Sequence, residues 1–399
     1  MSEFDSIEEL AGEGIYSGVE LEDETPPDEG NEKEPFDTDS ISITPKTVAL
    51  DTVLRRIKNK TIRLAPDFQR NYVWDKKRKS QLIESMMLRI PLPMFYVSED
   101  KNGVWEVVDG LQRLSTIKDF ILGPDFDGKG FKLSGLEFWN TPYDGYDYFK
   151  LEKNDEHIKI VNNIMETELS FIIINPETPE KVKRNIFKRI NTGGMRLSNQ
   201  EIRHALYQGR ASELLKSLVE DPVYLKVIEN TVKDDRMAGR ELILRFLAFR
   251  FLGYNNYSGD MDDFLSKTMK YINGEVLEDI FLKELPSNGK IIGDFQKGLE
   301  RAYEIFGEHA FRKSLPGDVR KTPINKSLFE LWLFCLTGAK EDSFKKITTN
   351  KALLLEKYSD LLRNTDFMNS ISRHGASLQG AKARKDKLVS LLKEVRDAK

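Results

Sequence analysis

Cysteine is nearly absent from these 399 residues: Cys335 stands alone. This excludes an intramolecular disulfide, a cysteine-clustered zinc site and an iron–sulfur cluster held by the chain's own thiols, and it points to a reducing compartment, the cytoplasm. Cys335 falls inside the apolar run Leu331–Leu336, a core segment. Histidine is scarce as well. His204, His309 and His374 have no second His or Cys at ligand spacing, so each reads as a solvent or core histidine rather than a metal ligand. No apolar run approaches the roughly 20 residues that span a bilayer. The N-terminus has no basic region followed by an apolar stretch, so no secretory signal is expected.

Charge of one sign is missing from the first 40 residues, which hold 15 acidic side chains and one basic one, Lys33, for a net of −14. The remaining 359 residues carry 60 basic and 50 acidic groups, a net of +10. Low apolar content and Pro26-Pro27 leave too little surface to offset the entropy of ordering, so residues 1–45 are expected to be a disordered acidic tail. Two readings of the tail stay open. It is a solvating extension, or it lies on the protein's own basic face as a nucleic-acid mimic.

Beyond the tail, Thr47–Ile57 reads as a short helix and Thr61–Leu64 as an extended piece. Asp75 is an N-cap for a helix from Lys76 to about Arg89, with Leu82, Ile83, Met86 and Met87 at helical spacing and Pro91 beyond its end. Met94–Val97 and Val104–Val108 flank a hairpin turn at Asp100–Gly103. Asp109-Gly110 then leads into a helix over 111–121. Residues 123–150 suggest an irregular insertion whose aromatics pack onto the domain, and Leu169–Ile174 is a strand. After Pro179 helices are predicted over 180–190, 199–207, 211–219, 240–253, 261–272, 291–306, 325–337 and 378–397, with a break at Asn191–Gly194 and a capping box at Ser198 and Glu201. The fold class is α+β: a small α/β domain over 46–180 and a mainly α-helical domain over 181–399.

Three segments bear chemistry. In Val107–Thr116 a glycine after a strand lets a ligand approach the backbone, and a helix N-terminus offers N–H donors to an anion. Arg113 adds a bidentate fork, and Asp109 is placed to hold a divalent cation beside a phosphate. An ordinary strand–turn–helix corner with Asp109 as cap explains the same pattern. In Phe68–Trp74, Gln69 and Arg70 stand among aromatics, either a stacking surface for a base or sugar or a half-buried core strand. In Ile190–Tyr207 two helices meet at a Gly-Gly corner. Helix caps account for the glycines but not for Asn191 and Thr192.

Taken in order, Phe68-Gln69-Arg70-Asn71-Tyr72-Val73-Trp74, Leu82–Ser85, Ile90-Pro91-Leu92-Pro93, Asp109-Gly110-Leu111-Gln112-Arg113 and Ile190-Asn191-Thr192-Gly193 resemble the DUF262 family. This is the N-terminal domain of GmrSD-type modification-dependent restriction enzymes and of phosphorothioate-sensing defence proteins, related to the ParB/sulfiredoxin fold. The resemblance runs from about Val48 to Tyr207, with Leu111 where the family often has glutamine. It implies a nucleoside triphosphate with Mg²⁺ bound in an anti-phage defence or DNA restriction protein, and possible NTP hydrolysis. Asp109, Gln112 and Arg113 are the implied catalytic residues, with Asp109 on the metal. Gln69, Arg70, Tyr72, Trp74, Gly110, Asn191, Thr192 and Gly193 are the implied nucleotide-binding residues. Many relatives carry a C-terminal HNH nuclease, whose His and Cys requirements this chain does not meet, so a nuclease partner acting in trans is expected.

Two other functions compete. One is a ParB-like DNA-binding protein without nucleotide chemistry, using the +10 body and the stretch Arg373–Lys399, which holds eight basic and three acidic residues. The other is a weak intrinsic nuclease built on Asp109. Self-association is left open, and no membrane partner is expected.

If the tail screens a basic face, deleting residues 1–40 raises affinity for duplex DNA. That gain shrinks as salt rises, following a counterion-release slope of about −0.9 per phosphate contacted. Equal binding by full-length and truncated protein at about 50 mM salt makes the tail a solvating extension only.

Overall fold

A computed structural model describes residues 17–20, 41–64, 74–190, 198–234, 236–277, 284–373 and 375–398. The chain forms two compact units, one of residues 34–197 and one of residues 1–33 with 198–399.

The first unit is built in the order β1 (Ile43–Ala49), α1 (Leu50–Lys58), β2 (Ile62–Arg63), α2 (Lys76–Met87), β3 (Phe95–Glu99), β4 (Trp105–Asp109), α3 (Leu111–Ile121), α4 (Asn140–Tyr143), α5 (Tyr148–Glu152), α6 (Ile158–Met165), β5 (Glu168–Ile174) and α7 (Glu180–Ile190). Its five strands lie in the order β1-β5-β3-β4-β2. β1 with β5 and β3 with β4 are antiparallel, whereas β5 with β3 and β4 with β2 are parallel. The helix expected from Thr47 begins only at Leu50. Thr47 and Val48 instead complete the ladder opposite Ser170 and Leu169, a pairing across more than 120 residues that local periodicity does not carry. The hairpin turn forms as its sequence predicts: Asp100 Oδ1 accepts the N–H groups of Asn102 and Val104 at 2.8 and 2.9 Å, and Gly103 takes φ 75°.

Phe95 and Phe171 stack at 5.3 Å, and Trp105 lies 5.2 Å from Phe171, so three strands share one aromatic core layer. α1, with Leu50, Val53, Leu54 and Ile57 buried, packs on β1 and β2, and α2, with Ile83, Met86 and Met87 buried, packs on α3 and α6. α2 ends at Met87 rather than near Arg89, which adopts a left-handed φ of 59°.

The insertion after α3 is held by one buried carboxylate. Glu84 of α2 accepts the N–H groups of Glu137, Phe138 and Trp139 at 2.8, 2.8 and 2.9 Å. Ser80, one turn earlier, accepts the N–H of Ser134 at 2.9 Å. The expected packing of its aromatics holds in part: Phe131 and Tyr148 lie 5.3 and 6.0 Å from Phe120, and Tyr143, Tyr146 and His157 meet edge to face at 5.3–5.9 Å, but Phe126, Phe138 and Phe149 are exposed.

The second unit is helical: α8 (Asn199–Leu206), α9 (Arg210–Val219), α10 (Pro222–Val227), α11 (Ala238–Phe251), α12 (Met261–Ile272), α13 (Asn288–Phe306), α14 (Lys326–Gly338), α15 (Glu341–Thr349), α16 (Lys351–Arg363), α17 (Thr365–Ile371) and α18 (Leu378–Asp397). The capping box of Ser198 and Glu201 starts α8 as its sequence predicts. α15, α16 and α17 have no counterpart among the predicted helices, because corners at Asn350 and Asn364 interrupt the apolar stripe of Phe344, Ile347, Leu354, Tyr358 and Leu362. Among the described residues no helix is long and apolar enough to cross a membrane.

Charges organise this unit. Glu330 of α14 accepts from Arg245 of α11 at 2.8 Å and from Arg384 of α18, and all three side chains are at most 1% exposed. Burial alone would raise the pKa of Glu241, but Lys326 and Arg203 beside it bring it down to about 2. Within the acidic N-terminal segment, residues 17–20 are ordered on this unit. Val19 bridges Ile324, the Glu20 N–H donates to Ile324 O at 2.8 Å, and the Glu20 carboxylate meets Lys313 and the Asn325 amide. Gly18, at φ 76°, lies so close to Thr231 that a Cβ would come 1.8 Å from its carbonyl oxygen.

Two outcomes follow from the α/β unit. Glu84→Ala removes the buried acceptor of three part-buried backbone N–H groups and is expected to lower stability by about 2–4 kcal/mol in denaturant titrations. A loss under about 0.5 kcal/mol, the range of an ordinary surface substitution, would show that the insertion is held by its apolar contacts instead. Glu106 of β4 has its pKa raised from 4.5 to about 7, chiefly by burial, with Arg63 at 3.3 Å opposing the rise and Asp100 adding to it. The folded state therefore favours the protonated acid. This contribution to stability is complete below about pH 4.5 and is lost as pH rises through about 7. Glu106→Gln should change the melting temperature little near pH 5 and raise it relative to wild type near pH 8. A gap independent of pH would overturn this assignment.

Candidate functional site

The site begins where β4 ends. Asp109 is the last strand residue, Gly110 turns with φ 94°, and α3 starts at Leu111 with no side chain capping it. Glycine is required here twice over, by its left-handed backbone and because a Cβ would lie 2.4 Å from the Phe95 ring. Asp109 does not cap the helix. Its Oδ2 accepts from Arg113 Nη2 at 2.8 Å, one turn along α3. The same guanidinium donates to Met94 O at 3.1 Å and to Pro93 O, and its plane lies 4.5 Å over Phe95.

Arg113 is thus engaged on both terminal nitrogens and one face. Burial lowers its pKa from the ordinary value while Asp109 opposes that shift, and the guanidinium remains a cation. The two partners are unequal in exposure. The Arg113 side chain is 12% accessible and that of Asp109 37%, so the carboxylate is the member facing solvent. Asp109 can offer an oxygen to a hard cation while Arg113 holds its orientation. A Mg²⁺ bound there would take one protein carboxylate and fill its shell with phosphate and water oxygens.

Gln112 links this corner to a second sequence segment. Its Oε1 accepts the backbone N–H of Trp74 at 3.4 Å, and the Arg78 guanidinium lies 4.7 Å over the Trp74 ring. Asp75 caps α2 by accepting the Arg78 N–H at 2.7 Å. The structure therefore brings together Trp74, Asp109, Gly110, Gln112 and Arg113. Gln69, Arg70 and Tyr72, together with Asn191, Thr192 and Gly193, lie outside the described residues.

Sequence reasoning missed two parts of the arrangement. The carbonyls of Pro93 and Met94, which fix Arg113, lie where the Ile90–Pro93 segment meets the predicted strand from Met94, and neither residue type signals such an acceptor. Arg78 is legible only as one of four consecutive bases, Lys76-Lys77-Arg78-Lys79.

The helical unit uses its cations internally. Within α11 and just before it, Arg240 meets Asp234 at 2.9 Å, a local pair, whereas Arg236 meets Glu201 at 3.0 Å and Arg245 meets Glu330, both far along the chain. In the basic C-terminal stretch Arg384 is buried on Glu330, Lys387 donates to Asn364 and Arg396 pairs with Asp397. The histidines here also have structural places: His204 is buried and His309 Nδ1 lies 3.0 Å from Ser314 Oγ.

Residues 50–208 match the family model described as GmrSD restriction endonuclease, N-terminal domain. No curated protein matches the chain.

Proposed function

We propose that residues 50–208, which carry a GmrSD-type N-terminal domain, bind a nucleoside triphosphate with Mg²⁺ at the Asp109–Arg113 corner of a restriction or defence protein. The observation that supports this most is the Asp109–Arg113 pair itself, a solvent-facing carboxylate fixed by a partly buried guanidinium beside an uncapped helix N-terminus. An uncapped N-terminus presents N–H donors and a partial positive charge, which suits phosphate oxygens. Asp109 would hold the metal and Arg113 would position Asp109. Trp74, 3.4 Å from Gln112 through its backbone, offers a ring against which a base can stack.

In this reading the nucleotide state sets the conformation of the domain, hydrolysis is slow or absent, and DNA cleavage comes from a nuclease on another chain. When bound, the metal would neutralise phosphate charge, and the chain's own groups would orient the nucleotide and limit water at the corner.

Isothermal titration against ATP, GTP, CTP and UTP with Mg²⁺ tests the reading. At least one should bind, and Asp109→Asn should weaken the Mg²⁺ complex about tenfold, the scale of one charge-assisted contact. Without Mg²⁺ the same substitution should leave affinity unchanged or raise it, since a negative charge near the phosphates is removed. Equal Mg²⁺-dependent binding by wild type and by an Asp109→Asn protein of the same melting temperature would sink the metal assignment. Failure of all four nucleotides to bind would sink the whole reading.

A further inference from the structure

Arg113 spends three hydrogen bonds, from both terminal nitrogens, on its own chain, so a polyphosphate at this corner calls for further cations. The first turn of α2 has them. Lys76, Lys77 and Arg78 are exposed and form no ion pair among the described residues, while Lys79 reaches Asp119 at 4.0 Å. Asp75 supplies an acid at the N-cap, but the first turn after it, where the helix dipole also favours acidic groups, holds none. Exposed cations there are mildly unfavourable to the helix, and local rules are broken in this way where a site needs charge.

Position supports the same conclusion. Arg78 lies with its plane 4.7 Å over the Trp74 ring, and Trp74 donates to Gln112, the residue next to Arg113. A cation–π contact of this kind uses none of the guanidinium's N–H donors as conventional hydrogen bonds to oxygen, and no such bond from the Arg78 side chain is seen among the described residues. The Lys77 stem runs past Gly135, where a Cβ would come 3.2 Å from Lys77 Cγ. Successive residues of a helix point about 100° apart, so of the three it is Arg78, beside Trp74, that is tied to the corner.

We infer that Arg78, flanked by Lys76 and Lys77 and braced on Trp74, receives the polyphosphate of the nucleotide whose metal end Asp109 holds. The inference rests on the proposed nucleotide site and adds its phosphate-binding side. It requires affinity to climb from nucleoside monophosphate to triphosphate, with Arg78 supplying much of the rise.

The test is titration of full-length wild type, Arg78→Gln, Arg78→Lys and the triple variant Lys76→Gln/Lys77→Gln/Arg78→Gln. The probes are inorganic triphosphate and the mono-, di- and triphosphates of the nucleotide that wild type binds, each with Mg²⁺, alongside melting curves. Arg78→Gln should lose about tenfold for triphosphates and little for the monophosphate, and the triple variant more. Arg78→Lys should recover part of the loss. The melting temperature of the triple variant should equal or exceed that of wild type, because unfavourable charge leaves the helix N-terminus, so a purely structural role would not give this pattern. Unchanged triphosphate affinity in the triple variant overturns the inference while leaving the nucleotide site intact. No nucleotide binding by wild type overturns both. Loss of duplex DNA binding with nucleotide affinity unchanged assigns the cluster to phosphodiesters and overturns the inference.

Discussion

The α/β unit depends on where the Arg113 guanidinium finds its acceptors. It joins the end of β4, through Asp109, to the carbonyls that precede β3, and its face rests on the Phe95 ring in the core. One side chain therefore ties two neighbouring strands and the first turn of α3. Gly110 must be glycine because the chain passes directly over Phe95 to make this possible. A partly buried cation persists only when its donors are matched, so the geometry of the corner is fixed before any ligand arrives.

The same logic, a buried charge satisfied from far along the chain, recurs elsewhere. Glu84 holds the loop 137–139 with three hydrogen bonds, and Glu330 gathers Arg245 and Arg384 from helices before and after it. Removing one member of such a set leaves the others buried without partners, which is why these positions are more sensitive than their small area suggests. In the helical unit this internal pairing also takes cations out of play for external anions. Arg384, Lys387 and Arg396 are engaged by neighbours, so the basic count of the C-terminal stretch overstates its free positive charge. At α2 the opposite holds: Lys76, Lys77 and Arg78 remain exposed and without ion pairs among the described residues.

Much of the site was legible as a local pattern. The order strand, Asp-Gly, helix at 105–121 follows from β-branched and aromatic alternation, a glycine and then helical spacing, and the structure has that order. The capping reading of Asp109 was equally compatible with the sequence, because an aspartate before a helix has two uses. The choice between them lay with Arg113, four residues on, and with carbonyls about 20 residues back. That Trp74 reaches Gln112 was implied only by resemblance, since nothing near either residue states a contact across 38 positions.

What the sequence determined by itself was what neighbouring residues decide among themselves: the cap at Asp75, the capping box at Ser198 and Glu201, the turn at Asp100–Gly103, and α3 over its full length. Each arises from side-chain chemistry within four residues, and the α+β class follows from their succession. Tertiary structure alone decided that Thr47 and Val48 join a strand opposite β5, that residues 17–20 bridge to Ile324, that Arg245 pairs with Glu330 rather than with a helix neighbour, and that Arg113 is spent on its own chain. The physical reason is shared. A backbone ladder or a buried ion pair is chosen by which distant groups remain unsatisfied once the core has closed, and that choice is not written in local spacing.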